Sequence, residues 1–300
     1  MPGQAIMDRM EDAIVNVNGV ITSAAAAVVP VFDHGFLYGE GIYETLRTYN
    51  HRPFLIDRHL SRLRASADRI GLSIPQSDDE LTDSIASTMA HVGGDAEHYI
   101  RLLVTRGVGE LSYDPTTCPQ PTIVIIAKAH RENDPEAQTQ GIALIISSVL
   151  RNHPGAIDPQ IKSNNLLNNL LAMQEAIRAG AQEALMRNYR GEISECAQSN
   201  FFLVRNGEAH TPPLGSGLLE GVTRNFLFDV GRLIGISVQE TVLGDQDLAE
   251  ADEMFITSTT REVLPVSRLD DRVIGTGTAG PVTTQLAEAF RRRAEELSGL

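Results

Sequence analysis

Ile161-Lys-Ser-Asn-Asn-Leu-Leu-Asn-Asn-Leu-Leu-Ala172 is the stretch on which the reading of this chain turns. It sets Lys162, one of two lysines among 300 residues, between a loop and the start of a helix rich in Asn and Leu. The other lysine is Lys128. A lysine among apolar and amide groups gives up its proton more readily than one on a solvated face. The neutral amine is the form that attacks an aldehyde, so the placement fits a Schiff-base nucleophile. One lysine carries little weight alone, and its sequence neighbours decide.

Downstream, Glu195 lies in Gly191-Glu-Ile-Ser-Glu-Cys-Ala-Gln-Ser-Asn200, which leads into the apolar Phe201-Phe-Leu-Val204. By itself it reads as a loop carboxylate. Beside the ring nitrogen of a pyridine cofactor, it would keep that nitrogen protonated and the ring electron-accepting. In Leu219-Glu-Gly-Val-Thr-Arg-Asn-Phe226, Gly221 precedes Val222 and Thr223. Thr223 can be a simple cap residue, or the free N–H groups of this helix start can bind an anion. Ile256-Thr-Ser-Thr-Thr-Arg261 adds hydroxyls and backbone donors after a strand. His59-Leu-Ser-Arg62 puts an arginine on the first long helix, where a solvated role is the plain alternative.

Hydrophobic periodicity frames these segments. Strands are predicted over 12–21 and 24–31 around Asn18-Gly19, and over 43–49 and 53–56 around Asn50-His51-Arg52. Helices are predicted over 57–70 and 78–92, then strands near 98–105 and 121–128. The polar run from His130 to Gln140, with Pro135, reads as a linker. Beyond it come a strand at 142–146, a helix at 165–179, and strands near 183–188 and 200–205. A helix at 222–234, a strand at 253–257 and a helix at 281–297 complete the reading.

Composition narrows the function classes. A net charge of −14, from 39 acidic against 25 basic residues, disfavours nucleic acid as a partner. With 42% hydrophobic and 21% charged residues the chain can bury a core. Cys118 and Cys196 have neither a CxxC nor a zinc spacing and read as reduced thiols of a cytoplasmic protein. The histidines show no metal-ligand spacing, so no metal is expected. The start MPGQAIMDRMEDAIV carries acids and lacks a hydrophobic h-region, so no signal peptide is expected. No run approaches the ~18 apolar residues of a membrane span.

Taken in order, these segments resemble the fold-type IV pyridoxal-phosphate enzymes. That group holds the branched-chain amino acid aminotransferases, the D-amino acid aminotransferases and the aminodeoxychorismate lyases. The matching segments are Phe32–Thr45, His59–Leu63, the Lys162 segment, Glu195–Val204, Gly221–Thr223 and Thr257–Val266. The resemblance implies an α/β (α+β) fold: a small N-terminal α/β domain over 1–129, a linker over 130–140, and a larger C-terminal domain over 141–300 with a β-barrel-like core. It implies pyridoxal 5'-phosphate held as an aldimine on Lys162, with Glu195 at the pyridine nitrogen. Arg62, Val222 through its backbone N–H, Thr223 and Thr259 would hold the phosphate. It also implies a homodimer or higher homo-oligomer acting on amino acids and 2-oxo acids.

Within the family, Tyr99-Ile100-Arg101 matches an element of the branched-chain enzymes. By that analogy Tyr99 and the N–H groups around Thr259 and Thr260 bind the substrate α-carboxylate, and Arg101 with Tyr38 binds the distal carboxylate of glutamate. The expected reaction is ping-pong transamination of leucine, isoleucine and valine with 2-oxoglutarate. The arginine and histidine of the bacterial D-amino acid enzymes are replaced here by Leu111 and Tyr113. Leu166, where branched-chain enzymes carry tyrosine, and Ser258-Thr259-Thr260, where they carry a Gly-Thr-Ala-like turn, lean the other way. A D-amino acid aminotransferase with another carboxylate site, and an aminodeoxychorismate lyase, stay open as alternatives.

Overall fold

Asn18 and Gly19 both take positive φ, 50° and 89°, which is what a two-residue hairpin turn asks of its central pair. They join β1 (Ile14–Val17) to β2 (Val20–Ser23). The computed structural model describes residues 12–299, so the residues ahead of Asp12, on which the leader expectation partly rests, lie outside it. Contacts divide the chain into two units. One runs to Arg131 and also takes in Ile161–Asn165; the other comprises Glu132–Gln160 and the residues from Leu166 onward.

In the first unit, α1 (His34–Tyr38), β3 (Gly41–Tyr49), β4 (Arg52–Pro53), α2 (Ile56–Arg69), α3 (Asp78–Met89), β5 (His98–Thr105) and β6 (Thr122–Ala129) follow the hairpin. The sheet order is β2-β1-β6-β5-β3-β4, antiparallel throughout. Strand alternation sends Ile42 and Leu46 of β3, and Ile100, Leu102 and Val104 of β5, to one face. There they meet Leu60, Leu63, Leu81 and Ile85 of the two long helices. Each such fully buried side chain contributes roughly 1.5–3 kcal/mol. The second strand predicted at 24–31 is not formed: β2 ends at Ser23, and Val28 and Val31 are exposed. As the edge of the sheet, β2 has no further neighbour to extend against among the described residues.

In the second unit, α4 (Pro135–Gln140) leads into β7 (Ile142–Ile146), α5 (Leu167–Arg178), β8 (Glu183–Arg187), β9 (Ile193–Cys196), β10 (Asn200–Arg205) and β11 (Glu208–Thr211). Then come α6 (Val222–Ile234), β12 (Val238–Glu240), α7 (Asp245–Glu250), β13 (Glu253–Ser258), β14 (Glu262–Leu269), β15 (Arg272–Val273) and α8 (Pro281–Leu297). The ladder runs β12-β11-β10-β13-β14-β7-β8-β9, with β15 on β14. It must curl. Five inter-strand steps separate β10 from β9, about 24 Å if flat, yet the link from Cys196 to Asn200 can span at most about 14 Å. The sheet therefore bends round on itself, the barrel-like core the resemblance implies.

The linker and β14 differ from the sequence reading. The polar stretch read as a linker contains α4: Asp134 accepts the Glu136 N–H, Pro135 opens the helix, and Ala137 packs against the core cluster of this unit. And β14, unpredicted because Pro265 and Arg268 interrupt its pattern, lies inside the sheet, antiparallel to β13 and parallel to β7. The β7–β8 pair is parallel, so residues 147–182 form its crossover. The Lys162 segment is part of that crossover, although its contacts belong to the first unit.

Candidate active site

Strand β4 covers only the far end of β3, leaving the edge near Ile42 open to another segment. The Lys162 segment docks there. Ser163 bridges to Ile42, Tyr43 N–H donates to the Lys162 carbonyl (2.9 Å), and Asn164 N–H donates to that of Gly41 (2.8 Å). Lys162 N–H donates to Ser66 Oγ on α2 (3.2 Å). The Lys162 Nζ lies 4.5 Å from the centre of the Tyr43 ring, and the Arg101 guanidinium lies 4.1 Å from the same ring. So the predicted nucleophile and a predicted substrate cation meet at one aromatic side chain.

Glu44 points from β3 toward α2, fully buried. Arg62 grips it with a fork, Nε to Oε1 and Nη2 to Oε2, both 2.7 Å, and His59 Nδ1 lies 2.7 Å from Oε2. Burial alone would raise the Glu44 carboxyl; the Arg62 charge, helped by His59, overrides it and holds the carboxyl well below the usual carboxylate range. Burial is also the main effect on His59 and pushes it below its ordinary value of 6.5, with Glu44 pulling the other way. The unfolded ring therefore takes up a proton at higher pH than the folded one. The stability from the neutral buried ring is present above about pH 6.5 and is lost as pH falls through the lower folded value. We expect the thermal unfolding midpoint to drop more steeply on acidification below about pH 6.5 in the native chain than in His59→Gln. Parallel curves would refute this.

Tyr99 and Arg101 alternate onto the sheet face opposite the core, where Lys128 lies over the Tyr99 ring at 5.3 Å. Tyr38 is set differently, at the end of α1, where its ring meets His34 edge-on at 4.9 Å and Tyr113 at 5.2 Å.

In the second unit, Glu195 ends no loop; it sits in β9 with its side chain 6% exposed. Its Oε1 accepts from Arg151 Nε (2.8 Å). Its Oε2 accepts from Leu219 N–H (3.2 Å) and Asn200 Nδ2 (3.3 Å). Asn200 also donates to the Leu219 carbonyl (2.9 Å), joining the carboxylate to the turn ahead of α6. Gly221 occupies the N-cap there without a side-chain cap bond. A Cβ at Gly221 would come within 1.9 Å of Asn200 Oδ1, so only glycine lets this turn close on Asn200. Val222 and Thr223 follow, both buried, at the uncapped start of the helix. Thr259 and Thr260 lie in the turn between Ser258 and Glu262, which pair across the β13–β14 hairpin. Thr257, opposite Asn200 in the ladder, buries its Oγ1 with no partner among the described residues.

This donor set fits pyridoxal phosphate. An amine can engage its aldehyde, an anchored carboxylate its ring nitrogen, and an uncapped helix start with hydroxyls its phosphate. Thr257 Oγ1 is a further buried donor without an acceptor among the described residues. Sequence reasoning missed Arg151, Asn200, Tyr43 and the partnership of Glu44 with Arg62. The signal for Glu44 was available: between Ile42 and Leu46 it falls on the core face of an alternating strand, where a carboxylate requires a buried cation.

Fold and donor chemistry together define a pyridoxal-phosphate-dependent transferase. The chain belongs to the class IV aminotransferases: the family model "Amino-transferase class IV" matches residues 41–269, more than half of it. Among curated relatives, a protein of Methanocaldococcus jannaschii whose name, branched-chain-amino-acid aminotransferase, is itself provisional is 39% identical over 277 residues, 92% of this chain and 95% of that one. A D-alanine aminotransferase of Listeria monocytogenes is 34% identical over 280 residues, covering 92% and 94%. The branched-chain amino acid aminotransferase of T.th., solved with pyridoxamine 5'-phosphate, superimposes with a TM-score of 0.89 at 31% identity, over 94% of each chain. Among the described residues, no helix is long and apolar enough to cross a membrane, and no group of three or more His, Cys, Asp or Glu could hold a metal ion.

Proposed function

We propose that this aminotransferase moves the amino group of the branched-chain L-amino acids leucine, isoleucine and valine to 2-oxoglutarate, as a cytoplasmic homodimer or higher homo-oligomer. The observation that carries the reading is the mixed character of one sheet face. Tyr43, Tyr99 and Arg101 share it with Leu103, Val124 and Ile126 through the cross-strand pairs Tyr43–Leu103, Leu103–Val124 and Arg101–Ile126. All six are half-buried. Such a surface can take an apolar branched side chain, and can also meet the distal carboxylate of glutamate with a guanidinium.

When bound, pyridoxal phosphate supplies the aldehyde and the electron-accepting ring. The residues supply the rest. Lys162 Nζ would take the proton from the donor Cα and hand it to the aldehyde-derived carbon of the cofactor, with the reverse transfer in the second half. Glu195 keeps the ring nitrogen protonated. Arg62, the Val222 N–H, Thr223 and Thr259 hold the phosphate. Tyr99 and the N–H groups around Thr259 and Thr260 hold the α-carboxylate, and Arg101 with Tyr38 holds the distal carboxylate of glutamate. The first half releases a 2-oxo acid; the second returns the amino group to 2-oxoglutarate and yields glutamate.

A D-amino acid aminotransferase is the second reading, favoured by the Listeria relative and by Leu166. Against it, Leu111 and Tyr113 stand where the carboxylate trap of those enzymes would be, both exposed. The test is a donor comparison with 2-oxoglutarate as acceptor. L-Leucine is expected to react and D-alanine to be poor; strong D-alanine with no L-leucine turnover rejects the proposal. Arg101→Met should lower kcat/KM for 2-oxoglutarate about 10- to 100-fold, the scale of one lost charged hydrogen bond. It should leave that for L-leucine nearly unchanged.

A further inference from the structure

We propose that Arg151 is a positioning residue for the reaction: its guanidinium keeps Glu195 ionised and aimed, so that the shared proton stays on the cofactor's ring nitrogen. The inference rests on the reading of Glu195 as the partner of that nitrogen. Nothing in the sequence ties the two residues together, since they stand 44 positions apart. Their side chains are 9% and 6% exposed, so little water reaches either group.

Arg151 Nε reaches Glu195 at 2.8 Å and carries a charge; the neutral donors Leu219 N–H and Asn200 Nδ2 lie at 3.2 and 3.3 Å. Arg151 is itself held. Its N–H donates to the Arg187 carbonyl (2.8 Å), and its Nη1 donates to Asn168 Oδ1 (3.1 Å). Asn168 Oδ1 also accepts the Asn152 N–H (3.2 Å), and its Nδ2 donates to the Leu150 carbonyl (2.8 Å). Asn168 lies in the first turn of α5, the helix that follows the lysine segment. The guanidinium thus has a fixed place.

The chemistry follows from counting one proton with two homes. Between a ring nitrogen and a carboxylate, the proton rests on nitrogen, giving an ion pair, or on oxygen, giving two neutral groups. Burial favours the neutral arrangement. A cation hydrogen-bonded to the carboxylate favours its charged form. Arg151 therefore tips the proton toward the ring nitrogen, where it increases the ring's capacity to accept electrons. A structural role alone would hold the loop and leave the proton where it was.

The experiment uses holoenzyme loaded with 15N-labelled pyridoxal phosphate and reads the ring-nitrogen chemical shift together with steady-state kinetics. The native enzyme is expected to show a protonated ring nitrogen. Arg151→Met should move the shift toward the unprotonated value and lower kcat about 10- to 100-fold, the scale on which loss of an orienting group acts, with KM for the donor within about twofold. Arg151→Lys should restore the shift. Should Arg151→Met not fold, Arg151→Gln, which keeps a hydrogen bond without the charge, is expected to show the same displacement. An unchanged shift in the folded Met or Gln variant overturns the inference. A Glu195→Gln arm separates the two claims. If that variant moves the shift and the Arg151 variants do not, the inference fails alone; if Glu195→Gln does not move it, the reading of Glu195 fails and takes the inference with it.

Discussion

Lys162→Ala is expected to lower kcat by about 10^4-fold or more, the upper range of a positioned acid–base group, with loss of covalent attack added to it. The fold should survive. The segment is held to the first unit mainly by its backbone: the Lys162 carbonyl accepts from Tyr43, the Lys162 N–H donates to Ser66, and Asn164 N–H donates to Gly41. The side chain contributes the amine and a contact with the Tyr43 ring. Borohydride treatment of the native, cofactor-loaded protein followed by peptide mapping should place the reduced cofactor on residue 162. Modification at Lys128 in its place would defeat the assignment, because Lys128 is the single competing lysine.

Glu44→Ala is expected to destabilise the protein by about 3–5 kcal/mol, the cost of stripping one partner from a buried charge pair. Arg62 would keep a guanidinium only 12% exposed without the carboxylate it grips, and His59 would lose the acceptor 2.7 Å away. A thermal unfolding midpoint lower by about 10 °C is the corresponding observable. Glu44→Gln, which keeps the shape and one acceptor oxygen, should cost less. If Arg62 holds the phosphate as proposed, either change should also weaken pyridoxal phosphate binding to the apoprotein, because the guanidinium loses the carboxylate that fixes it. A midpoint within a degree or two of the native value would show that the three side chains do not act as a unit.

Local periodicity placed most elements. The helix over 222–234 and the strands over 142–146 and 200–205 carry the bounds read from the sequence, because each has a continuous apolar pattern with a glycine or polar stop. Short strands such as β9, β11 and β12 escaped, having too few residues to show a period. β14 escaped for a different reason. Its burial comes from two neighbours remote in sequence, β13 on one side and β7 on the other, and not from its own alternation.

For the site, residue chemistry was legible and partnership was not. Lys162, Glu195, Gly221 and Thr223 could be singled out because amine, carboxylate and uncapped helix start each announce a chemistry in a few consecutive residues. Glu44 closing on Arg62, Arg151 finding Glu195, and Asn200 crowding Gly221 are contacts between distant positions. The amino-acid sequence by itself determined which groups are available and which faces of each strand and helix are apolar. Only the tertiary structure decided which buried charges meet, and that a five-residue segment of the crossover pairs with the open edge of β3. The reason is physical: helix and strand periods are set within a dozen residues, whereas ion pairs and edge pairing are selected by the desolvation each unsatisfied group would otherwise suffer.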